Sequence, residues 1–199
     1  MAYSRVRRKE SALKRLLDEN PLYTDRDLAE ELGVSVATVR LYRSRLGIPE
    51  LRQRLKDLAS AAHKRLKSLE EEELIGELVD LEPNVRGISI LETTPEMVLS
   101  KSNVVGAEYI FAQANSLAIA LIEADVVVTG SARVRYKGTV TGGERLIAKA
   151  RVAKKKGNKY LVSVHTRVGN REVFVGRFIV VSLMAFSNDG GGEYNANSG

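Results

Sequence analysis

The sequence predicts an α+β protein with three parts: an all-α N-terminal module, an amphipathic linker helix, and an antiparallel sheet wrapped around a central helix. Apolar residues recur three and four apart up to residue 69 and again from Ala107 to Ile122, which indicates helices. Four later segments are rich in β-branched residues and have the length of strands. Charge also separates the parts, because residues 1–67 carry 16 Lys and Arg against 9 Asp and Glu, whereas the remainder is nearly neutral.

Composition excludes several kinds of site. The chain of 199 residues has no cysteine, so disulfides, thiolate nucleophiles and cysteine-based metal sites are ruled out. Its two histidines, His63 and His165, lie far apart in sequence, so we expect neither a metal nor a bound cofactor. The basic N-terminus is not followed by an apolar segment, and the central helix is too short and polar to cross a bilayer. We therefore expect a cytoplasmic protein with no membrane partner.

The expected first domain, residues 1–48, contains three helices. Their predicted bounds are 4–19, 25–32 and 36–46. Thr24 and Ser35 are suitable N-caps for the second and third helices, and Gly33 ends the second. Two short helices joined by a four-residue turn have the spacing of a helix-turn-helix.

The third helix has the chemistry of a DNA-reading helix, because guanidinium groups bind guanine and phosphate, and hydroxyl groups bind phosphate oxygens. Double-stranded DNA is therefore the expected partner, although a basic helix can also be a solvated face of any three-helix bundle. We expect Val36, Val39 and Leu46 to pack inward. The residues expected to contact DNA are Ser35, Thr38, Arg40, Tyr42, Arg43 and, from the start of the linker, Arg52.

Residues 49–75 are expected to form the amphipathic linker helix. Leucine and alanine recur over 51–69 as a narrow apolar stripe with basic flanks. A stripe of this kind must dock on a partner helix or on the next domain, within the same chain or in a second copy.

The expected third domain, residues 76–186, places two strands before a central helix at 107–122 and four strands after it. The predicted strands are 77–81, 87–92, 125–137, 143–153, 158–168 and 171–183. This order is typical of a hot-dog domain, a fold that usually pairs into dimers and holds acyl thioesters beside the central helix. Residues 187–199 contain little apolar surface, so we expect a disordered tail.

Five further segments, together with the helix-turn-helix, resemble the FapR family of bacterial repressors in one register over about residues 4–183. They are I-P-E-L-R-Q-R at 48–54, E-L-V-D-L at 77–81, F-A-Q-A-N-S-L-A at 111–118, S-A-R-V-R-Y at 131–136 and G-E-R-L-I-A-K-A at 143–150. The resemblance implies a homodimer that binds an inverted-repeat operator of fatty-acid and phospholipid biosynthesis genes. It also implies release from DNA when malonyl-CoA binds the hot-dog domain.

The resemblance also implies an effector site. Asn115 matches the family's ligand-contacting Asn on the central helix. Gly106 stands where the family has an Arg that pairs with the malonyl carboxylate, and Ala107 replaces the Gly after it. Leu99 stands where an aromatic residue is often found. Leaving a buried carboxylate without its Arg costs on the order of 2–5 kcal/mol.

Three cations are candidates to replace that Arg: Lys101 from the loop before the helix, and Arg133 or Arg135 from a strand. Otherwise the effector is a different acyl-CoA, or the domain only dimerises and the repressor needs no effector. A hot-dog thioesterase with a regulatory DNA-binding domain is a third interpretation, and Glu108 is the sole acidic candidate for catalysis beside the helix. Because the resemblance favours a repressor, we do not expect an enzyme.

Overall fold

The computed structural model describes residues 2–183, with side chains described from Val6 onward. The expected tail, 187–199, lies outside the described residues. Within them the chain forms a helical head, a linker helix and a six-stranded antiparallel sheet wrapped around one helix. The predicted α+β class is confirmed.

The head contains α1 (Ala2–Glu19), α2 (Asp25–Leu32) and α3 (Val36–Leu46). The predicted caps are confirmed. Thr24 accepts the backbone N–H of Asp27, and the Asp27 carboxylate accepts the Thr24 N–H at 2.8 Å, so a capping box starts α2. Ser35 starts α3 by accepting the N–H three residues on, at 3.1 Å. Gly33 and Gly47 adopt the left-handed conformation that ends α2 and α3.

The linker helix α4 (Leu51–His63) is shorter than expected, which corrects the single helix predicted over 49–75. The connector, residues 64–76, leaves the helical path and contains only one 3₁₀ turn, Glu71–Glu73. Its residues bind the central helix instead: Ser68 donates to the carbonyl of Ile119 at 3.0 Å. The apolar period continues past His63 because Leu66 packs against the core of the sheet domain rather than along a helix.

The sheet domain has strand order β1-β2-β4-β5-β6-β3. The strands are β1 (Glu77–Glu82), β2 (Arg86–Glu92), β3 (Val126–Tyr136), β4 (Arg145–Lys156), β5 (Lys159–Val168) and β6 (Arg171–Leu183). The central helix, α5 (Ala107–Ala120), packs on the inner face, where Leu117, Phe174 and Phe178 are fully buried. Burial of this apolar face is the main stabilising term for the domain.

The linker helix packs on the outer face of the same chain's sheet. Leu55 of α4 forms a buried cluster with Val79 of β1 and Ile90 of β2. Leu58 packs against this cluster from α4, and Leu22 packs against it from the turn between α1 and α2. The stripe therefore docks within its own chain, and the head contacts the same apolar patch.

Arg54 fastens the head to the linker helix. Its side chain is buried, and its guanidinium donates to the carbonyls of Pro49 at 2.8 Å, Pro21 at 3.2 Å and Tyr23 at 2.6 Å. Burial lowers the pKa of Arg54 from its ordinary value, and the nearby Arg43 cation adds to this effect. Three carbonyls from two segments thus depend on one cation, which makes the head and α4 a single unit.

We predict that Arg54→Met lowers the free energy of unfolding by about 3 kcal/mol, because three carbonyls lose a charged donor. Lys56→Met is the matched control, since Lys56 is exposed on the same helix. Urea unfolding followed by circular dichroism measures both. Equal midpoints for the two variants would show that Arg54 does not hold the joint.

Candidate functional site

The exposed face of α3 is the surface available to a duplex. Its members recur three and four residues apart: Ala37, Arg40, Leu41, Ser44 and Arg45. The Arg40 side chain is 70% exposed and its Nε lies 3.5 Å from Asp25. This face combines two guanidinium groups, a hydroxyl and an apolar side chain, which can bind phosphates, guanine edges and thymine methyl groups.

The structure corrects three expectations for α3. Tyr42 and Arg43 are buried at 7% and 8% exposure instead of facing outward, and Leu46, expected inside, is 39% exposed. Arg43 donates from Nε and Nη2 to the two carboxylate oxygens of Asp25, at 2.7 and 2.9 Å. This bidentate pair ties α3 to the first residue of α2, so Arg43 is a structural residue of the head.

The remaining predicted DNA contacts lie at the edges of this surface. Ser35 is exposed and Thr38 half-buried, with their hydroxyl oxygens 2.8 Å apart at the start of α3. Arg52 is exposed in the first turn of α4. The predicted set omits Leu41 and Arg45, which the structure places on the same exposed face; placing Val39 inward on a helical wheel puts both on the opposite side.

Two amides of α5 hold the helix to the sheet. Gln113 is fully buried and donates from Nε2 to the hydroxyl of Ser89 on β2 at 3.2 Å. Asn115, the predicted effector contact, accepts a hydrogen bond from the Thr129 hydroxyl on β3 at 2.7 Å. The pairing fixes the Asn115 oxygen and leaves its amide nitrogen as a donor.

The start of α5 carries a negative charge where the resemblance implies a positive one. Gly106 is buried at the N-cap, and a Cβ added there would overlap the carboxylate of Glu108. Tyr136 donates to the carbonyl of Ala107 at 3.1 Å. Burial raises the pKa of Tyr136, and the Glu108 charge raises it further. An acyl carboxylate placed here would meet an anion.

The candidate substitutes for the missing Arg are not equivalent. Leu99 and Lys101 are exposed on the loop before α5, which is closed by pairing of Val98 with Val105. Arg133 is the cross-strand partner of exposed Arg177, so it lies on the outer face of the sheet. Asn115 contacts the sheet from the inner side. This placement removes Arg133 from the candidate effector site of its own chain, and Arg135, two residues on, shares its face.

Glu108, the candidate considered for catalysis, is not joined by a histidine of the described chain. His165 lies on the outer face, with Nδ1 2.7 Å from Glu172, whereas Glu108 lies at the start of α5. Among residues 2–183 no cluster of His, Cys, Asp and Glu could hold a metal ion. In the same range, no helix combines the length and the apolar character that a membrane crossing requires.

Curated relatives match most of the chain. A protein named transcription factor FapR from Caldanaerobacter subterraneus subsp. tengcongensis is 48% identical over 171 residues, 86% of each chain. A protein of that name from Halalkalibacterium halodurans is 45% identical over 168 residues, which is 84% of this chain and 90% of the relative. Another from Geobacillus sp. is 39% identical over 96% of this chain and 98% of its own. No family model matches the chain.

Solved structures support the hot-dog fold predicted from the sequence. An uncharacterized protein from Pyrococcus horikoshii has a TM-score of 0.55 and 28% identity, covering 60% of this chain and 91% of its own. A sigma28-regulated virulence protein from Campylobacter jejuni has a TM-score of 0.59 and 26% identity, covering 64% and 91%. A mutant of the phenylacetic acid degradation protein PaaI from Thermus thermophilus, at 20% identity, TM-score 0.50 and coverage of 55% and 95%, shows the fold alone.

Arg40 is exposed and Arg43 is buried, so substitutions of the two residues should have different effects. We expect Arg40→Ala to leave stability unchanged and to weaken binding to a duplex selected from a random-sequence pool by at least about tenfold. We expect Arg43→Ala to lower the free energy of unfolding by about 1.5–3 kcal/mol, because Asp25 loses its bidentate partner. Thermal unfolding and fluorescence anisotropy separate the two effects. A destabilised Arg40→Ala with unchanged DNA affinity would contradict the assignment of faces.

Proposed function

Because the chain belongs to the FapR family of transcription factors, we propose that it is a dimeric repressor of fatty-acid and phospholipid biosynthesis genes that an acyl-CoA releases from DNA. The observation that carries the proposal is the connection between the two modules. The connector from the DNA-binding head is hydrogen-bonded to α5, the helix that carries Asn115. A ligand beside Asn115 therefore acts on the segment that positions the head.

DNA binding is assigned to the exposed face of α3. In a dimer, two copies of this helix enter successive major grooves of an inverted repeat. Arg40 and Arg45 supply the guanidinium groups, Leu41 supplies an apolar contact, and Ser35 lies where the first turn meets the phosphates. Arg52 follows onto the backbone from the linker helix.

Strand β3 is the proposed dimer contact. It is an edge strand of eleven residues that pairs only with β6 among the described strands. Its middle residues, 130–133, are exposed on both faces. An edge this long offers a row of unpaired backbone groups, which a second copy satisfies by continuing the sheet.

Coupling runs from α5 to the linker through two hydrogen bonds. The N–H of Ile75 donates to the hydroxyl of Ser116 at 3.1 Å, and Ser68 donates to Ile119 at 3.0 Å. Ser116 is the residue after Asn115, so a shift of α5 on ligand binding moves the connector and, with it, the docking of α4. The ligand acts only through its different affinities for the two arrangements of the head.

The effector is a coenzyme A thioester, with malonyl-CoA as the candidate that the family suggests. The Asn115 amide nitrogen is available to donate to a thioester oxygen. Lys101 is the exposed cation on the loop adjoining α5 and is the counter-charge for a malonyl carboxylate. Glu108 opposes that carboxylate and favours a neutral acyl group, such as acetyl.

Calorimetric titration with malonyl-CoA, acetyl-CoA and free CoA tests the effector. If Glu108 repels an acyl carboxylate, Glu108→Gln should strengthen malonyl-CoA binding by about tenfold and leave acetyl-CoA binding unchanged. Asn115→Ala should weaken both thioesters. If the wild type binds none of the three, the domain only dimerises and the repressor needs no effector. Turnover of acyl-CoA that disappears in Glu108→Gln would instead favour a thioesterase.

Leu58→Glu tests the linker, because it places a charge in the apolar cluster under α4. We expect the variant to remain dimeric by sedimentation and to lose the response of operator binding to the acyl-CoA. Ala61→Glu, on the exposed side of the same helix, should respond as the wild type does. A normal response in Leu58→Glu would remove the docking of α4 from the mechanism.

A further inference from the structure

The outer face of the sheet carries a row of arginines that the DNA-binding head and the effector site do not use. Cross-strand pairing aligns Arg151 of β4, Ser163 of β5, Arg177 of β6 and Arg133 of β3 in one register. Neighbouring strands lie about 4.8 Å apart, so the row from Arg151 to Arg133 spans about 14 Å. All three arginines are exposed.

Further cations extend this row into a surface, which we call the cationic face. Lys149, paired with His165, lies two residues along β4 from Arg151, and Arg167 lies diagonally next to it on β5. Arg135 lies in the register of Lys149, three strands away on β3. The cationic face is defined by Arg133, Arg135, Lys149, Arg151, Arg167 and Arg177. None of these six has a salt bridge within the described part of the chain.

The strands that form this face are almost free of acid. Glu172 is the sole acidic residue within β3, β4, β5 and β6. Its carboxylate is engaged by Lys137 and His165, whose hydrogen bonds lower the pKa of Glu172 to about 2. The cationic face therefore keeps its positive potential although the sheet domain as a whole is nearly neutral.

The shape of the face suits anionic groups. A depression of about 340 Å³ is lined by Lys149, Arg151, Ser163, His165 and Arg167. The depression adjoins a second cleft of about 370 Å³ that faces the head. On that side Asp27, Glu30 and Glu31 of the head stand opposite Lys149, His165 and Arg167. No ion pair among the described residues crosses this cleft, so the acidic edge of α2 faces the cations without binding them.

We propose that the cationic face binds the phosphate backbone of double-stranded DNA outside the operator. The face extends across four strands and carries six cations, which exceeds what one phosphate group needs and matches an extended polyanion. The face is the surface of a wide sheet rather than a helix or a two-stranded ribbon that could enter a groove, so we expect contact with phosphates that is independent of sequence. The head packs against the same side of the sheet through Leu22, so the DNA-binding head and the cationic face lie on one side of the sheet.

This inference depends on the proposed function in one respect: the head must bind DNA and so bring it to the sheet. The apolar half of the outer face is covered by α4, whereas the cationic half is open. When the acidic edge of α2 leaves the face, the phosphates of flanking DNA take the place of its carboxylates.

Charge-removing substitutions in the full chain test the proposal. Arg151→Gln/Arg177→Gln removes two cations from the face. Lys67→Gln/Lys155→Gln removes the same charge elsewhere, since Lys67 pairs with Glu123 and Lys155 lies over the Tyr160 ring. Arg151→Lys/Arg177→Lys keeps the charge. Circular dichroism and the unfolding midpoint establish that each variant folds.

Fluorescence anisotropy over a range of salt concentrations compares a duplex that ends at the operator with one extended on both sides. On the extended duplex we expect Arg151→Gln/Arg177→Gln to reduce the slope of log affinity against log salt by about 2. The lysine pair and the control should keep the wild-type slope, and the short duplex should not distinguish the variants. Equal slopes for all variants on the extended duplex would overturn the proposal.

A random-sequence duplex separates this proposal from the proposed function. The Arg40→Ala variant should still bind this duplex, and its binding should still depend on Arg151 and Arg177. This result is expected even if no operator is found. Substitution of those two arginines could instead alter only the response to acyl-CoA and leave the salt dependence of DNA binding unchanged. In that case the cationic face interacts with the acidic edge of α2, and the proposed DNA contact is wrong.

Discussion

The enclosure of α5 by the sheet is the constraint on which the rest of the structure depends. The helix is rich in small residues, so β2, β4, β5 and β6 approach it closely, and Ala114 and Ala118 are fully buried. Most of its buried polar groups bond the strands or the connector, whereas the Gln113 Oε1 has no hydrogen-bond partner among the described residues. Ser116 bonds the connector and Asn115 bonds β3, so one turn of helix links the candidate ligand site to the path toward the head.

The head and α4 form a second rigid unit. Two buried arginines join segments that a small apolar core alone would hold only loosely. Arg43 joins α2 to α3 through Asp25, and Arg54 joins the turn before α2 to the linker helix. Motion of the head relative to the sheet must therefore occur in the connector, residues 64–76. That segment has one 3₁₀ turn and is hydrogen-bonded to α5 through Ser68 and Ile75, so it is the part of the chain through which a shift of α5 reaches the head.

Sequence reasoning succeeded where the signal is local. The caps at Thr24 and Ser35, the end of α2 at Gly33, and the two strands before and four strands after α5 follow from propensity and period alone. It failed for Arg43, because an arginine is normally exposed and only the position of Asp25 in space makes its burial favourable. Sequence reasoning also extended the linker helix past His63. The apolar period continues there, but hydrogen bonding of the connector to α5 gives the backbone a different path.

Charge at the start of α5 decides what the ligand site can distinguish in the proposed mechanism. Thr129 holds the Asn115 oxygen, so the amide nitrogen faces the ligand as a neutral donor and serves any thioester equally. Discrimination among acyl groups must then come from charge, and Glu108 and Lys101 act in opposite directions on a carboxylate. Glu108 lies against Gly106 at the start of α5, and Lys101 lies on the loop before it; both side chains are exposed, so water screens both charges. In the proposed mechanism, Glu108 at the helix start favours a neutral acyl group, and Lys101 counters it where the loop closes onto the ligand.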